Sequence, residues 1–190
     1  MDKLVINGPC RLQGEVSISG AKNAAVAIIP AAIMANNICI IENLPSIEDV
    51  TSLNTTITKM GAKTEFLDQH TLKIDSRGME NISATFEEVR KMRASYYLLG
   101  ALLARYRRAE VAMPGGCDFG SRPIDLHLKG FRAMGAQVSV ERDVIRVEAE
   151  KLQGASIYMD TVSVGATINI MLAAVLAEGK TVIENAAREP

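Results

Sequence analysis

One glycine-rich stretch carries the residue types best suited to chemistry. Residues 114–126 read PGGCDFGSRPIDL, with three glycines within six positions. Glycines allow a backbone to adopt positive φ angles and to approach a ligand closely, and successive N–H groups in such a loop can form a concave site for an anion. Cys117 lies among the glycines, and Arg122 follows five residues later at the start of a predicted helix. This is the setting of a reactive thiol, with a tight turn and an incidental thiol as the alternative.

A second chemical signal is a lysine at the head of an apolar helix. Lys22 and Asn23 precede an alanine- and isoleucine-rich helix predicted over 24–36. This helix is apolar nearly all round and is therefore expected to be buried, with Pro30 expected to kink it or shift its start. A lysine at a helix N-terminus opposes the helix dipole, and a bound anion would resolve that conflict. The alternative is a solvated terminal lysine.

Two further apolar helices are predicted to begin at polar residues. Arg93 opens a helix that reaches about residue 105, and Ser163 precedes one that ends near residue 178. If the three helices pack around a pseudo-threefold axis, their heads converge at one end of the domain. Because helix N-termini bind anions, the expected ligand is a small molecule that bears phosphate or carboxylate.

The other elements follow from apolar alternation and turn residues. A capping-box-like start at Ser46 predicts a helix that reaches Met60, and Pro123 is suited to the first position of a helix that reaches Met134. The remaining predictions are strands at 4–6, 16–19, 38–41, 64–67, 71–74, 111–113, 137–140, 144–147, 157–159 and 181–183. We interpret His70 as a turn residue and the arginines at 105, 107 and 108 as a solvated helix end.

The chain repeats itself, with two full copies and the start of a third. Residues 60–63 (MGAK) match 134–137 (MGAQ), each before a predicted hairpin. Residues 41–43 (IEN) match 183–185 (IEN), each after a buried helix, and Pro45 corresponds to Pro114. The unit is helix, strand, helix and hairpin, which places the chain in the α/β (α+β) class. The third copy stops before its second helix and hairpin, so an edge strand and a helix face are expected to be uncovered.

Composition excludes several classes of function. The chain has 190 residues, 48% apolar and without tryptophan, and 21 basic against 22 acidic residues give a net charge of -1. That balance gives no footprint for nucleic acid or a membrane. Cys10, Cys39 and Cys117 are far apart, which disfavours a zinc site and a disulfide framework. The first residues do not resemble the apolar region of a signal peptide, and the longest apolar run, 24–35, contains Pro30 and is too short to span a bilayer. We therefore expect a cytoplasmic protein.

Six ordered motifs resemble the UDP-N-acetylglucosamine enolpyruvyl transferase family, also called the UDP-N-acetylglucosamine 1-carboxyvinyltransferases. The motifs cover the whole chain, so coincidence is a poor explanation. They are GAKNAA at 20–25, MRAS at 92–95, PGGC at 114–117, GSRPIDLH at 120–127, SVGAT at 163–167 and IENAAREP at 183–190.

The resemblance implies a fold of two lobes, each built from three repeats as an inside-out α/β barrel, with ligands in the cleft between the lobes. Residues 1–21 would contribute strands to the other lobe, which is mostly missing here. Residues 22–190 would form most of one lobe with its third repeat truncated. A general-base aspartate and several arginines of the family lie in the missing half, so this chain alone is not expected to be a competent catalyst.

The resemblance also implies a reaction and the residues that perform it. The enolpyruvyl group of phosphoenolpyruvate moves to the sugar 3-hydroxyl of UDP-N-acetylglucosamine with release of phosphate, without a metal or an organic cofactor. This reaction opens peptidoglycan synthesis, and hence cell-wall biogenesis, cell shape and cell division. Cys117 matches the proton donor, which can also form an adduct with phosphoenolpyruvate and is the thiol alkylated by fosfomycin. The matching substrate ligands are Lys22 and Asn23 for phosphoenolpyruvate, and Arg93, Arg122, Pro123, Ile124, Asp125, Leu126, Ser163 and Val164 for the nucleotide sugar.

One departure and three alternatives stay open. Thr161 stands where some members have a lysine that contacts the nucleotide sugar. A transferase that acts on shikimate phosphate would share the fold, although the loop around Cys117 fits it poorly. A lone lobe that binds ligand without catalysis is a second alternative. An unrelated cysteine hydrolase is the third, but it needs a histidine base, and neither His70 nor His127 lies in an acyl-transfer motif.

Overall fold

The structure is a computed structural model that describes residues 3–9, 11–85, 87–113 and 124–188. Helices and strands alternate along most of the described chain. They are α1 (Lys22–Met34), β1 (Ile38–Ile41), α2 (Glu48–Lys59), β2 (Lys63–Asp68), β3 (Thr71–Asp75), β4 (Ser83–Ala84), α3 (Glu87–Lys91), a 3₁₀ turn (Arg93–Tyr96), α4 (Tyr97–Tyr106), β5 (Arg108–Ala112), α5 (Asp125–Ala133), β6 (Gln137–Glu141), β7 (Val144–Glu148), β8 (Ser156–Tyr158), α6 (Val164–Ala174) and β9 (Val182–Glu184).

The three apolar helices α1, α4 and α6 form the centre of the core. α4 packs against both α1 and α6, and every residue from Leu98 to Ala104 is buried. Apolar side chains all round such a helix leave no face for water, so it is stable only between other elements. The predicted burial is therefore confirmed for α4, whereas α1 exposes Ile28 (47%) and α6 exposes Met171 (54%). α6 ends at Ala174 rather than near residue 178.

Two arginines after the apolar stretch of α4 fix the direction of the three helices. The Arg105 guanidinium donates to the backbone carbonyl of Ile33, near the end of α1, and at 2.7 Å to Oδ1 of Asn36. Arg107 donates at 3.2 Å to the carbonyl of Leu176, just beyond α6. The carboxyl ends of all three helices therefore lie together, and their N-termini point to the opposite end of the layer. The interpretation of these arginines as a solvated helix end was wrong for Arg105 and Arg107.

The two hairpins of the repeat have the same register. Ile74 of β3 pairs with Cys39 and Thr64, and Val147 of β7 pairs in the same way with Ala109 and Val138. The sheet orders are accordingly β1-β3-β2 and β4-β5-β7-β6. The predicted hairpins are confirmed, and the repeat extends to equivalent strand pairing.

The matched Met-Gly-Ala segments end equivalent helices in the same way. Gly61 and Gly135 have φ angles of 104° and 92°, which only glycine adopts without strain. The next N–H bonds six-to-one back into the helix, from Ala62 to Ile57 and from Ala136 to Phe131, each at 3.0 Å. This is the hydrogen bond of a Schellman motif. The asparagines of the IEN match, Asn43 and Asn185, both have φ of 56°.

Parallel strand pairs add a strand to the predicted repeat unit. β4 pairs in parallel with β5 on either side of α4, and β8 pairs in parallel with β9 on either side of α6. Parallel strands need a crossover, and the buried helix supplies it. Within the described residues the third unit consists of β8, α6 and β9, without a second helix or hairpin.

The start of α2 was predicted wrongly, and α1 begins earlier than predicted. Ile47, not Ser46, is the N-cap of α2, and no side chain caps that helix. α1 begins at Lys22 and continues through Pro30 as one helix. Burial explains this tolerance, because Pro30 lies in the core face of α1 and tertiary packing outweighs the lost hydrogen bond.

The predicted strands at 4–6 and 16–19 do not form among residues 3–9 and 11–21. Large apolar side chains are instead exposed there, including Leu4 (88%), Leu12 (89%) and Ile18 (91%). A strand is stable only when a neighbour satisfies its backbone groups, and no described residue pairs with this segment.

α4 and α6 approach each other closely at Gly100. A Cβ built on Gly100 would lie 2.2 Å from the backbone oxygen of Asn169. α5 approaches α6 through Gly130, where a Cβ would lie 2.4 Å from the side chain of Ile170. The first obstacle is backbone and the second is a side chain that can rotate, so Gly100 is the stricter requirement.

We expect Gly100→Ala to lower the free energy of unfolding by about 3 kcal/mol, because the helices must separate to admit the methyl group. Urea denaturation of both proteins measures the difference. Gly78→Ala is the matched control, since a Cβ there meets nothing within 4 Å. A loss below about 1 kcal/mol for Gly100→Ala would contradict the close packing described here.

Arg105→Ala is expected to destabilise the protein by about 2 kcal/mol, because three backbone or amide oxygens lose a charged donor. The third of these is the carbonyl of Ser76, at 2.8 Å. Arg108→Ala provides the comparison, since the Arg108 side chain is 53% exposed and its ion pairs with described residues are with Glu110 and Glu148. Surface pairs contribute less than about 1 kcal/mol. Thermal denaturation with equal losses for the two variants would argue against Arg105 as a link between helices.

Candidate functional site

The amino ends of α1, α4 and α6 lie at one end of the helix layer. The carboxyl ends of these helices are joined through Arg105 and Arg107. With a rise of about 1.5 Å per residue, the three helices have similar lengths, so their amino ends lie on the same side as well. The heads of α4 and α6 are also in direct proximity, since a Cβ on Gly165 would lie 3.8 Å from the Tyr97 hydroxyl. The predicted convergence of helix heads is supported by these contacts.

At the head of α1, Lys22 forms an ion pair with the Asp49 carboxylate. Asp49 lies in the first turn of α2, where an acidic side chain is favoured by the helix dipole. The predicted conflict between Lys22 and its own helix is therefore neutralised inside the chain. The Lys22 side chain is still 62% exposed, and neighbouring Asn23 is exposed, so both can reach a ligand.

At the head of α6, Ser163 is a true N-cap. Its Oγ accepts from the Ala166 N–H at 3.3 Å, and its carbonyl accepts from the Thr167 N–H at 3.0 Å. Thr167 Oγ1 in turn accepts from the Ala187 N–H at 3.1 Å. The SVGAT and IENAA motifs are thereby joined, and Val164 follows directly as the first residue of the helix.

α5 brings a third group of predicted residues to this end. Ile124 is buried and Leu126 half-buried, whereas Asp125 is exposed at the helix start. One turn further on, Lys129 Nζ lies 2.6 Å from Asp160, the residue that precedes Thr161. The 160–164 segment, which lacks a lysine of its own at 161, thus has a cation from the neighbouring helix.

Several predicted residues lie outside the described structure. Cys117, Arg122 and Pro123 belong to the undescribed segment 114–123, as does most of the glycine-rich stretch. For Arg93 only the backbone is described, as the first residue of the 3₁₀ turn before α4. The structure therefore brings together the regions of Arg93, Ile124, Asp125, Leu126, Ser163 and Val164, while the roles assigned to all the site residues remain predictions.

His127 is a residue of this site that sequence reasoning considered only as a hydrolase base. It is 7% exposed, its Nδ1 lies 2.9 Å from Nδ2 of Asn169, and its ring packs 5.7 Å from that of Tyr96. Burial lowers the pKa of His127 from 6.5 to about 4, because the interior disfavours the charged imidazolium. Burial also raises the pKa of the Tyr97 hydroxyl. Both groups are therefore neutral near pH 7.

His70 also has a larger role than a turn residue. Its Nδ1 lies 2.7 Å from the carbonyl of Leu44, and its own carbonyl accepts from the Leu44 N–H at 2.8 Å. The turn between β2 and β3 is thereby bound to the segment after β1. The equivalent turn in the second repeat makes the matching backbone bond, from Met113 to Asp143 at 2.8 Å.

Two classes of site find no support among the described residues. Histidine, cysteine, aspartate and glutamate do not form a cluster that could hold a metal ion in those ranges. The helices described there include none that is both long and apolar enough to cross a membrane.

Comparison with known sequences gives one matching family model and many relatives. Residues 6–190 match the model of EPSP synthase (3-phosphoshikimate 1-carboxyvinyltransferase). The chain is 56% identical to UDP-N-acetylglucosamine 1-carboxyvinyltransferase 2 of Clostridium acetobutylicum, over all of this chain and 46% of that protein. It is 55% identical to UDP-N-acetylglucosamine 1-carboxyvinyltransferase of Streptococcus pneumoniae serotype 2, with the same coverage. The chain thus spans about half the length of the curated relatives it matches.

Comparison with solved structures shows the fold. The enolpyruvyl transferase NikO from Streptomyces tendae aligns over 91% of this chain and 41% of its own, with a TM-score of 0.76 and 24% identity. EPSP synthase from Acinetobacter baumannii aligns over 93% of this chain and 41% of its own, with a TM-score of 0.74 and 21% identity. The predicted α/β fold of the enolpyruvyl transferase type is confirmed.

His127 makes stability depend on pH. Its folded pKa lies below the unfolded value of 6.5, so the unfolded chain binds more protons and stability falls as pH decreases from about 6.5 to about 4. The full loss is about 3 kcal/mol, since one pKa unit is worth about 1.4 kcal/mol. We expect His127→Gln to flatten this slope in urea titrations, whereas His70→Gln keeps it. An unchanged slope in His127→Gln would contradict a neutral, buried His127.

Proposed function

This chain belongs to the family of EPSP synthase (3-phosphoshikimate 1-carboxyvinyltransferase), and we propose that the protein it forms part of transfers the enolpyruvyl group of phosphoenolpyruvate to the 3-hydroxyl of UDP-N-acetylglucosamine. The observation that carries the choice of acceptor is identity of 53–56% along the whole chain to UDP-N-acetylglucosamine 1-carboxyvinyltransferases. In the cell this reaction would open peptidoglycan synthesis in the cytoplasm, and with it cell-wall biogenesis and cell division.

The helix heads fit substrates that carry several negative charges. Phosphoenolpyruvate and a nucleoside diphosphate sugar both need donors and cations at fixed positions. Lys22 forms an ion pair with Asp49, and Lys129 forms one with Asp160, but both lysine side chains are exposed to solvent. Exposed ion pairs contribute little free energy. A phosphate of the substrate can therefore replace the carboxylate partner of either lysine with only a small loss of stability.

The proposed roles follow the motifs. Lys22 and Asn23 bind phosphoenolpyruvate. Arg93, Arg122, Pro123, Ile124, Asp125, Leu126, Ser163 and Val164 bind the nucleotide sugar. Cys117 donates a proton to the enolpyruvyl methylene, while the sugar 3-hydroxyl loses its proton to a general base of the second lobe and its oxygen adds to the adjacent carbon. Loss of phosphate and of one proton from the new methyl group then restores the double bond. By the resemblance to the family, the Cys117 thiol is also the group that fosfomycin would alkylate.

A division of the chain between two lobes is part of this proposal. Residues 22–190 form most of one lobe, whose third repeat is truncated, and residues 1–21 pack on a second lobe. The exposed apolar side chains between Leu4 and Ile18 support it, because apolar surface of that extent is ordinarily covered by protein. The partner is the remainder of the same protein, whose relatives are about twice as long as this chain.

Phosphate release from phosphoenolpyruvate in the presence of UDP-N-acetylglucosamine tests the function. We expect the full-length protein to release phosphate and Cys117→Ala to lower the rate at least about a hundredfold, as for the loss of a general acid. Cys39→Ala, which removes a half-buried thiol of β1, is the matched control and should retain the rate.

Shikimate 3-phosphate is the alternative acceptor, because the matching family model carries that activity in its description. Release with shikimate 3-phosphate and none with UDP-N-acetylglucosamine would reverse the assignment. Binding of both substrates without release by the full-length protein would favour a ligand-binding role. The 190-residue chain alone is expected to release no phosphate, and normal turnover by it would refute the need for a second lobe.

A further inference from the structure

The side-chain amide of Asn169 uses every one of its hydrogen-bonding groups. Asn169 is fully buried in the middle of α6. Its Oδ1 accepts from the Gly100 N–H at 2.8 Å, and its Nδ2 donates to the Tyr96 carbonyl at 2.7 Å. The second Nδ2 proton is directed to Nδ1 of His127 at 2.9 Å. Tyr96 and Gly100 are four residues apart at the start of α4, so the amide bonds two backbone groups of the same helical turn.

These backbone partners decide the orientation of the amide and the tautomer of His127. A backbone N–H only donates and a backbone carbonyl only accepts, so Oδ1 must face Gly100 and Nδ2 must face Tyr96. Nδ1 of His127 therefore accepts a hydrogen bond. In a neutral imidazole the proton must then reside on Nε2.

His70 provides the opposite case within the same chain. Its Nδ1 faces the carbonyl of Leu44 at 2.7 Å. A carbonyl oxygen cannot donate, so Nδ1 of His70 carries the proton. The two histidines of the chain are thus expected to show different ring protonation.

The Nε2 side of His127 faces the head of α6. A Cβ built on Gly165 would lie 3.6 Å from Nε2 of His127 and 3.8 Å from the Tyr97 hydroxyl. Gly165 follows Ser163 and Val164, and His127 follows Asp125 and Leu126, so the imidazole lies between two segments of the proposed nucleotide-sugar site.

We propose that Asn169 is a positioning residue: its amide holds His127 as the Nε2–H tautomer and joins the heads of α4, α5 and α6. The identity of the ligand in this inference rests on the proposed function, whereas the tautomer of His127 follows from the hydrogen bonds alone. The substrate class is the UDP-sugar, whose site would be assembled from these three heads. Asn169 acts through His127 and the backbone, without contact to substrate.

Ring 15N–1H correlation spectra of the 15N-labelled protein at pH 7 test the tautomer directly. Signals are assigned by their loss in His70→Gln and His127→Gln. We expect Nε2–H for His127 and Nδ1–H for His70. In Asn169→Asp the carboxylate can still accept from Gly100 but cannot donate to His127, so the His127 signals should change to Nδ1–H or to the imidazolium. A wild-type His127 with its proton on Nδ1 would overturn the proposal.

Calorimetric titration with UDP-N-acetylglucosamine tests the positioning role. We expect Asn169→Asp to weaken binding by about tenfold or more, the scale of one lost hydrogen bond in a buried network. Asn36→Asp is the matched control at the opposite end of the helix layer, where Oδ1 only accepts from Arg105, and should change the affinity by less than about twofold.

A second pair of variants keeps the test valid if Asn169→Asp fails to fold. His127→Gln keeps an N–H donor near the Nε2 position, and His127→Asn keeps only an acceptor near Nδ1. We expect the first to retain most of the affinity and the second to lose about tenfold. Equal affinities for these variants, or a changed tautomer with unchanged affinity in Asn169→Asp, would overturn the positioning role. If the wild-type protein bound no UDP-sugar, the proposed function would be refuted. The tautomer measurement would still stand, because it needs no ligand.

Discussion

The close approach of α4 and α6 is the constraint on which the rest of the structure depends. It requires a glycine at position 100, because any Cβ there would meet the backbone of Asn169. It also places Asn169 against the start of α4, where its amide bonds the Gly100 N–H and the Tyr96 carbonyl. A buried amide without its partners would cost about 1–3 kcal/mol. Gly100 and Asn169 therefore allow the two helices to pack closely and also provide hydrogen bonds for the polar groups buried between them.

The two ends of the helix layer serve different purposes. At the carboxyl ends, Arg105 and Arg107 place positive charge where helix dipoles favour it and join neighbouring helices through backbone carbonyls. At the amino ends the polar groups include exposed lysines, a capping serine and a buried histidine. One end is thus closed by internal bonds, while the other retains donors and cations that can turn to a ligand.

Much of the fold could be predicted because its signals are local and repeated. The MGA segments predicted two equivalent helix ends, since a positive φ at Gly61 and Gly135 needs only neighbouring residues. Hairpin strands were correct to within about one residue, because alternation of apolar side chains sets both length and register. The two-residue strand β4 and the uncapped start of α2 were missed. Neither has a local signature, because both depend on packing between segments distant in sequence.

The sequence by itself determined the repeat, the three buried helices, and the polar residues at their heads, because residue type and spacing are properties of the chain. It also determined the family, through motifs that run from residue 20 to 190. Only the tertiary structure decided which charges meet: Lys22 with Asp49, Lys129 with Asp160, and Arg105 with the end of α1. It alone decided the environment of His127, because a pKa and a tautomer depend on burial and on partners contributed by separate helices.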